Sequence, residues 1–189
     1  IKLNANDVAF KPISEAKRIS KALLAGWWHE MRLPKQCKEA VPPLAAPTKP
    51  QPHVVALNGV VYTTVLAPKD GRKNWKDILS AFCWAFKDTA DATLLVKMTH
   101  HDFEYYHSVV LGLLARLSPF SCRVLIVHGF LSDKEYLQLI QASTYYVNAS
   151  TAEGLCLPLM EFLCSGKPAL APSHTAMSDY LKADFAFLV

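Results

Sequence analysis

The sequence predicts an α/β fold in which helices cover both faces of a doubly wound parallel sheet. Beyond residue 52, short apolar runs rich in β-branched residues alternate with stretches of helical periodicity, and this alternation is typical of parallel sheets. The 189 residues are enough for a domain with a core of its own. In such sheets ligands bind beyond the carboxyl ends of the strands, so we expect the functional residues in the loops that follow strands.

The part that precedes the sheet is predicted to consist of a helix and a linker. Apolar residues at helical spacing predict a helix over 15–32, with Ser14 as its N-terminal cap. Prolines recur through 41–52, and a proline-rich segment forms an extended, semi-rigid linker. We therefore place a domain boundary between 1–52 and 53–189.

Six strands are predicted in the second part. Their runs are rich in β-branched and aromatic residues, which favour strands. The run that ends at His128 is apolar enough for a strand that is buried on both faces. The predicted strands cover 60–66, 93–98, 123–128, 145–148, 169–171 and 186–189.

Five helices are predicted between and after these strands. The first has Ile78, Leu79 and Phe82 on one side. Pro119 ends the second, and Ser132 begins the third with a glutamate three residues later, which is the pattern of a capping box. The predicted helices cover 75–86, 103–117, 132–141, 158–165 and 176–181.

The segment that contains the fourth helix holds two carboxylates. Pro158 suits the first position of this helix, and Gly166 suits the left-handed position just past its end. Glu153 lies in the polar loop before the helix and Glu161 lies within it. Because the other residues of the helix are mostly apolar, we expect Glu161 to be buried and to need a polar partner.

This segment resembles the E-(x)7-E signature of family 4 (group 1) retaining GT-B glycosyltransferases, found in their C-terminal donor-binding domain. The residues in register with the signature are Ser150, Glu153, Gly154, Leu157, Pro158, Glu161, Gly166 and Pro168. The resemblance extends over about 60–189. It implies a Rossmann-like half of a GT-B fold. We expect this half to be incomplete at its C-terminus, because the last helices that usually complete it are missing.

The activity that the resemblance implies is transfer of a hexosyl unit from a nucleoside diphosphate sugar to an acceptor hydroxyl, with retention. The chain supplies the donor-binding half, and the acceptor is a sugar or another hydroxyl compound. A GT-B active site lies between two halves, so we expect the fragment alone to be nearly inactive. No cofactor is expected. No metal is expected either, because the sequence has no Asp-x-Asp motif and its adjacent histidines lack the spacing of a metal site.

The resemblance assigns two residues to catalysis. It implies that Glu153 bonds the hydroxyls of the donor sugar and that Lys73 contacts the donor diphosphate. Lys73 and Arg72 lie between the first strand and its helix, where the N–H groups of a helix N-terminus also attract anions. By itself this segment also fits a solvated basic turn. The segment 64–67 replaces an arginine that the family often has, which leaves open whether Arg72 takes its place.

The other implied donor contacts follow the third and fourth strands. Glu161 is implied to bind the ribose hydroxyls, and Phe130 and Leu131 to hold the nucleobase. From the residues alone, the loop with Phe130 is equally a plain turn with a buried aromatic side chain. The remaining implied contacts are Ser150 and the N–H groups near Gly154, Leu155 and Cys156.

Two other functions stay open: a nucleotide-sugar epimerase of GT-B-like fold, and a non-catalytic module that binds nucleotide sugars. An NAD-dependent enzyme is disfavoured, because the loop after the first strand has no G-x-G-x-x-G. A net charge of +4 without a dense basic run indicates no nucleic-acid partner. Peripheral membrane contact of the full-length protein stays open.

The cysteines indicate a reducing compartment, and we expect a cytoplasmic location. The chain has five cysteines and no C-x-x-C pair. Cys83, Cys122 and Cys164 stand in apolar surroundings, where cysteine behaves as a small core residue. No signal peptide and no apolar run of transmembrane length is visible.

Overall fold

The computed structural model describes residues 17–18, 27–30, 56–100 and 102–189. The strands among them are β1 (Lys17–Arg18), β2 (Trp27–Glu30), β3 (Ala56–Leu57), β4 (Val60–Leu66), β5 (Ala92–Met98), β6 (Arg123–His128), β7 (Tyr145–Val147), β8 (Ala169–Ala171) and β9 (Ala186–Leu188). The α-helices are α1 (Trp75–Ala85), α2 (Phe103–Leu117), α3 (Asp133–Ala142) and α4 (Leu157–Cys164). Short 3-10 helices cover Gly71–Lys73 and Thr175–Asp179.

Most of the strands form a single sheet, in the order β2-β6-β5-β4-β7-β8-β9. The strands from β4 to β9 are parallel, and β2 pairs antiparallel with β6 at the edge. β1 and β3 pair with each other in a separate two-stranded sheet. The chain runs outward from β4 to β6 and then returns to the other side of β4 with β7. The carboxyl ends of β4 and β7 therefore border the crevice where doubly wound sheets bind ligands.

Apolar side chains cover both faces of the sheet. β5 is buried along its whole length, and its successive residues face opposite sides. Leu94 and Val96 pack with α1 and α2, whereas Leu95 packs with α3. On this second face, Leu159 and Phe162 of α4 cover β7 and β8. The helices thus hold the strands from both sides, and the loops at the carboxyl edge are left open for function.

The six predicted strands and the first four predicted helices are confirmed, with ends that differ by one residue at most. The predicted helix over 176–181 is wrong, because the 3-10 helix Thr175–Asp179 lies there instead. This short helix begins at a left-handed residue, Thr175, with φ 53°, and it turns Met177 into the core. Short 3-10 turns of this kind are common connectors.

The predicted helix over 15–32 is also wrong for those of its residues that the structure describes, which form β1 and β2. β2 pairs with β6, from Trp27 opposite His128 to Glu30 opposite Leu125. This pairing gives the outer side of β6 hydrogen-bonding partners, and such long-range pairing outweighs a local helical pattern. The rest of the predicted helix, the linker and the boundary after residue 52 lie outside the described residues, and the boundary stays a prediction.

The four described cysteines are free thiols. The predicted core position is confirmed for Cys83 and Cys122, which are buried, and Cys156 is buried as well. It is wrong for Cys164, which is exposed because α4 ends at this residue, away from its buried face. Among the described residues, no helix has both the length and the apolar character needed to cross a bilayer.

Replacing Gly59 by alanine is expected to destabilise the domain. Gly59 has φ 67°, and a Cβ there would lie 1.8 Å from the carbonyl oxygen of Asp91. The same oxygen accepts the N–H of Val60 at 2.9 Å, so relief of the clash would cost that hydrogen bond. We expect Gly59→Ala to lower the free energy of unfolding in urea by about 2 kcal/mol or more.

The matched control is Gly112→Ala in α2. A Cβ at Gly112 meets nothing within 4 Å, so alanine there is expected to raise the free energy of unfolding by up to about 1 kcal/mol. Equal free energies of unfolding for Gly59→Ala and the wild type would contradict the described turn before β4.

Candidate active site

Two loops meet at the crevice between β4 and β7. The loop after β4 carries the two predicted cations, and the loop after β7 carries the first predicted carboxylate. The N–H of Thr151 donates to the carbonyl oxygen of Arg72 at 2.9 Å. Nδ2 of Asn74 donates to the carbonyl oxygen of Ala149 at 2.8 Å. These hydrogen bonds join the loops into one connected surface.

The carboxylate of Glu153 lies between two cations. Its Oε2 is 2.7 Å from Nη1 of Arg72, and its Oε1 forms an ion pair with the ammonium of Lys73. Glu153 is only 8 % exposed, and burial of this charge is costly without such partners. Arg72 is held in turn by Asp70, whose Oδ2 lies 2.9 Å from Nε, and by the carbonyl oxygen of Ala152 at 2.7 Å. We call Arg72, Lys73 and Glu153 the ion triad.

The carboxyl group of Glu153 is ionised at neutral pH. Burial raises its pKa, but the hydrogen bonds from Lys73 and Arg72 outweigh burial and hold the pKa below its usual value. An ionised carboxylate accepts hydrogen bonds and cannot donate a proton. The arrangement therefore suits the binding of hydroxyl groups and is unsuited to general acid catalysis.

The backbone is strained in the loops around the ion triad. Asn74, Cys156 and Thr175 have positive φ values of 47°, 57° and 53° and are the non-glycine residues of this kind within the described part of the chain. They lie in the loops after β4, β7 and β8, all at the carboxyl edge. The left-handed conformation costs about 1–2 kcal/mol per residue, and strained positions concentrate at functional sites. The strained residues and the ion triad thus lie at the same carboxyl edge of the sheet.

The main chain of Glu153 is fixed by the loop after β8. Thr175 Oγ1 accepts the N–H of Glu153 at 3.1 Å, and the N–H of Ala176 donates to the carbonyl oxygen of Glu153 at 3.4 Å. The sequence alone does not indicate this role for Thr175. A short polar loop after a strand end is visible there, but the bond to Glu153 is not, because it joins two loops.

The other predicted residues of the loop after β7 fall into two groups. Ser150 and Cys156 are buried, and Gly154 and Leu155 are exposed. The hydroxyl of Ser150 donates to Oδ1 of Asn148 at 2.7 Å. Ser150 therefore shapes the loop from inside, while Gly154 and Leu155 lie at its surface.

Glu161 differs from the prediction, because it is exposed and not buried. α4 turns Leu159 and Phe162 into the core, and Glu161 lies on the outer side. The hydroxyl of Tyr136 from α3 donates to Glu161 Oε2 at 2.8 Å. Burial, and then Glu161 itself, raises the pKa of Tyr136 well above its usual value, so this hydroxyl stays a donor. The polar partner of Glu161 is thus a tyrosine of the neighbouring helix.

The buried Tyr146 of β7 lies in one core cluster with Cys156 and Tyr136. Burial raises the pKa of Tyr146, and the nearby Cys156, Tyr136 and Glu153 raise it further. Tyr136 also holds Glu161, so the two predicted carboxylates each have partners of their own.

The loop after β6 places its two predicted residues differently. Phe130 is 77 % exposed, whereas Leu131 packs against the core cluster that includes β5 and α3. Gly129 before them has φ 114°, and its N–H donates to the carbonyl oxygen of Met98 at 3.1 Å. The alternative of a turn with a buried aromatic side chain is wrong, since this ring is open to solvent.

Solved structures of glycosyltransferases share this architecture. The C-terminal domain of a glycosyl transferase group 1 family protein (LpcC) from Francisella tularensis matches with a TM-score of 0.53 and 20 % identity, over 68 % of this chain and 67 % of that one. The UDP-forming α,α-trehalose-phosphate synthase from Burkholderia xenovorans matches with a TM-score of 0.51 and 15 % identity, over 69 % and 32 % of the two chains. The pneumococcal O-GlcNAc transferase GtfA, solved with UDP and GlcNAc, matches with a TM-score of 0.50 and 20 % identity, over 68 % and 24 %. This chain has the fold of a GT-B C-terminal domain.

The likeness to GT-B domains is one of fold. No protein-family model matches the chain, and no curated protein matches its sequence. The chain spans 67 % of the Francisella domain, and 32 % and 24 % of the synthase and of GtfA. The predicted fold class is confirmed by the sheet and by these structures.

In this GT-B fold the ion triad lies beside a cavity and outside it. A cavity of about 340 Å³ opens on the α1–α2 side of the loop after β4, with Lys69, Trp75 and Tyr105 in its wall. Arg72, Lys73 and Glu153 are absent from its lining. The part of the chain that the structure describes has no group of three or more His, Cys, Asp or Glu side chains placed to hold a metal ion.

Removal of the charge on Lys73 is expected to destabilise the GT-B domain at neutral pH. Lys73→Met leaves the buried carboxylate of Glu153 with Arg72 as its cation, and loss of one charged partner costs about 1–3 kcal/mol. The pKa of Glu153 is depressed in the folded state. Its contribution to stability is therefore present above the unfolded pKa and is lost as the pH falls through the folded pKa.

Urea unfolding of the wild type and Lys73→Met between pH 7 and pH 3 measures this effect. We expect the difference in unfolding free energy to shrink as the pH falls, and the control Lys87→Met, at an exposed lysine, to stay near the wild type throughout. A difference that stays constant with pH would mean that Glu153 does not depend on Lys73.

Proposed function

We propose that this chain is the donor-binding half of a retaining family 4 glycosyltransferase, which moves a hexosyl unit from a nucleoside diphosphate sugar to an acceptor hydroxyl. The observation that carries the proposal is the ion triad at the point where the strand order reverses. A nucleotide sugar needs cations for its diphosphate and acceptors for its sugar hydroxyls, side by side. Arg72, Lys73 and Glu153 offer both within hydrogen-bonding reach of one another.

Lys73 and Arg72 supply positive charge for the leaving diphosphate. Both are bonded to Glu153 in the structure, and a diphosphate carries more negative charge than one carboxylate. We therefore propose that the cations turn to the phosphate oxygens when the donor binds. Negative charge then grows on the diphosphate as the bond to the sugar breaks, and fixed cations stabilise it, which is usually the largest single contribution to catalysis.

Glu153 holds the sugar in this proposal. Its depressed pKa keeps it ionised, so once the cations contact phosphate its oxygens accept hydrogen bonds from sugar hydroxyls. Its main chain is already fixed by Thr175, so the carboxylate needs little reorganisation. No side chain is proposed as a nucleophile. Glu153 and Lys73 are the two proposed catalytic residues.

The nucleoside occupies the neighbouring part of the edge. Glu161, held by Tyr136, accepts bonds from the ribose hydroxyls, and the loop with Phe130 and Leu131 holds the base. The N–H groups at the N-terminus of α4 face the phosphates, as is usual for anions at helix N-termini. The remaining proposed contacts are Ser150, Gly154, Leu155 and Cys156.

A uridine nucleotide is the first donor to test. GtfA was solved with UDP and GlcNAc, and the Burkholderia synthase is UDP-forming. The epimerase alternative is not favoured, since the similar structures described above are of glycosyl transferases and a synthase. We propose that a sugar or other hydroxyl acceptor approaches from a second GT-B half, so that this chain alone binds donor and transfers little. We also propose a cytoplasmic location, where the free thiols stay reduced.

Calorimetric titration with UDP and with inorganic pyrophosphate tests the proposed roles. We expect the wild type to bind UDP. Lys73→Met is expected to lower the affinity for both ligands about tenfold or more, which is ~1.4 kcal/mol, because it removes a cation that contacts the phosphates. Glu161→Ala is expected to lower the affinity for UDP and to leave the affinity for pyrophosphate unchanged, because pyrophosphate has no ribose.

Two further variants serve as controls for this titration. Lys87→Met changes an exposed lysine away from the crevice and should bind both ligands like the wild type. Tyr136→Phe removes the hydrogen bond to Glu161 and should repeat the selective loss of UDP affinity in weaker form. A wild type that binds neither UDP nor GDP would refute the donor-binding proposal.

A further inference from the structure

Lys97 is a buried lysine at the carboxyl end of β5. It is 6 % exposed. Its Nζ donates to the carbonyl oxygen of Gly129 at 2.5 Å and also bonds the hydroxyl of Thr99. Both acceptors are neutral. Within residues 56–100 and 102–189, no carboxylate forms an ion pair with Lys97. A positive charge is thus buried at the edge of the sheet with two hydrogen bonds and no counter-ion from this part of the chain.

Burial of an ammonium group without an anion is unfavourable. Such a group either pairs with a carboxylate or has its pKa lowered until it loses its proton. Burial lowers the pKa of Lys97 to about 8, so most of the population still carries the charge at neutral pH. A bound anion would remove the imbalance.

Lys97 lies next to the nucleotide part of the proposed site. In the sheet it is in register with Val65 of β4 and Val127 of β6, so it is on the α3 side together with these residues. Tyr136, which holds Glu161, packs on the same face. Through Gly129, Lys97 also holds the loop that carries the two proposed base contacts.

Within residues 56–100 and 102–189, the titratable groups near Lys97 have partners of their own or lie on the other face of the sheet. From α3, the carboxylate of Glu135 accepts the N–H and the hydroxyl of Ser132, each at 2.7 Å, and Tyr136 donates to Glu161 of α4. On β6, His128 is in register with Met98 and so belongs to the opposite face. Burial lowers the pKa of Lys97, and no carboxylate of residues 56–100 or 102–189 forms an ion pair with it.

We propose that Lys97 is a further donor-binding residue: it holds the loop after β6 in place and directs its unmatched positive charge to a nucleoside diphosphate at this edge. The inference rests on the proposed function. The negative ligand stabilises the protonated amine, so a proton is taken up on binding wherever free Lys97 is partly deprotonated. Affinity is therefore full below about pH 8 and falls above it, by up to tenfold per pH unit.

Calorimetric titration with UDP-glucose tests the inference without any variant. Both phosphates of this ligand are esterified, so neither titrates near pH 8. Measurement at pH 8 in two buffers that differ in ionisation enthalpy gives the number of protons exchanged on binding. We expect the wild type to take up as much as about half a proton at pH 8, because free Lys97 is about half protonated there, and close to none at pH 6.5.

Variants then test whether Lys97 is the group that takes up the proton on binding. Lys97→Met is expected to bind UDP-glucose about tenfold more weakly at pH 7 and to take up no proton at pH 8. Lys97→Arg is expected to keep most of the affinity and to lose the proton uptake, since arginine does not titrate in this range. Lys73→Met should bind more weakly and still take up the proton. Urea unfolding of each variant confirms that it is folded.

The outcomes separate this inference from the proposed function. Binding of UDP-glucose by the wild type with no proton uptake at pH 8, or an unchanged affinity in a folded Lys97→Met, overturns the role of Lys97 and leaves the ion triad in place. Failure of the wild type to bind UDP-glucose at any pH overturns the proposed function and this inference with it.

Discussion

The burial of one carboxylate constrains the whole carboxyl edge. Glu153 is almost inaccessible to solvent, so it needs compensation, and Arg72 and Lys73 provide this from a loop that precedes it by about 80 residues in the chain. The contact forms only because β4 and β7 are neighbours at the point where the strand order reverses. One main-chain hydrogen bond, from Thr151 to Arg72, and one from the side chain of Asn74 to Ala149 then fix the two loops to each other. The interaction that joins the two loops is thus the same one that places two cations beside a carboxylate at the crevice.

The sheet is rigid and well packed, whereas the strained residues lie in the loops at its carboxyl edge. β5 is buried throughout, and helices hold the sheet from both faces. The unfavourable features collect at one edge: three left-handed residues, a buried carboxylate and a buried lysine without a carboxylate partner among the described residues. Each costs free energy that the core must offset. Their concentration where a doubly wound sheet binds ligands is the reason to look for function there.

The sequence predicts those features whose cause is local. Apolar β-branched runs predict the strands of the parallel sheet, and parallel topology brings loops as distant as those of Lys73 and Glu153 to one edge. The sequence does not predict features with a long-range cause. β2 forms by pairing with β6, and Thr175 bonds Glu153 across two loops. The exposure of Glu161 was missed for another reason. α4 has eight residues and is almost wholly apolar, so its pattern does not reveal which side turns outward.

A structure of the chain with bound UDP-glucose tests the central claim most directly. We expect the ammonium of Lys73 to leave Glu153 for the diphosphate, and Glu153 Oε1 or Oε2 to accept a hydrogen bond from a hydroxyl of the glucose ring. A nucleotide bound away from the loops after β4 and β7, with the ion triad unchanged, would contradict it.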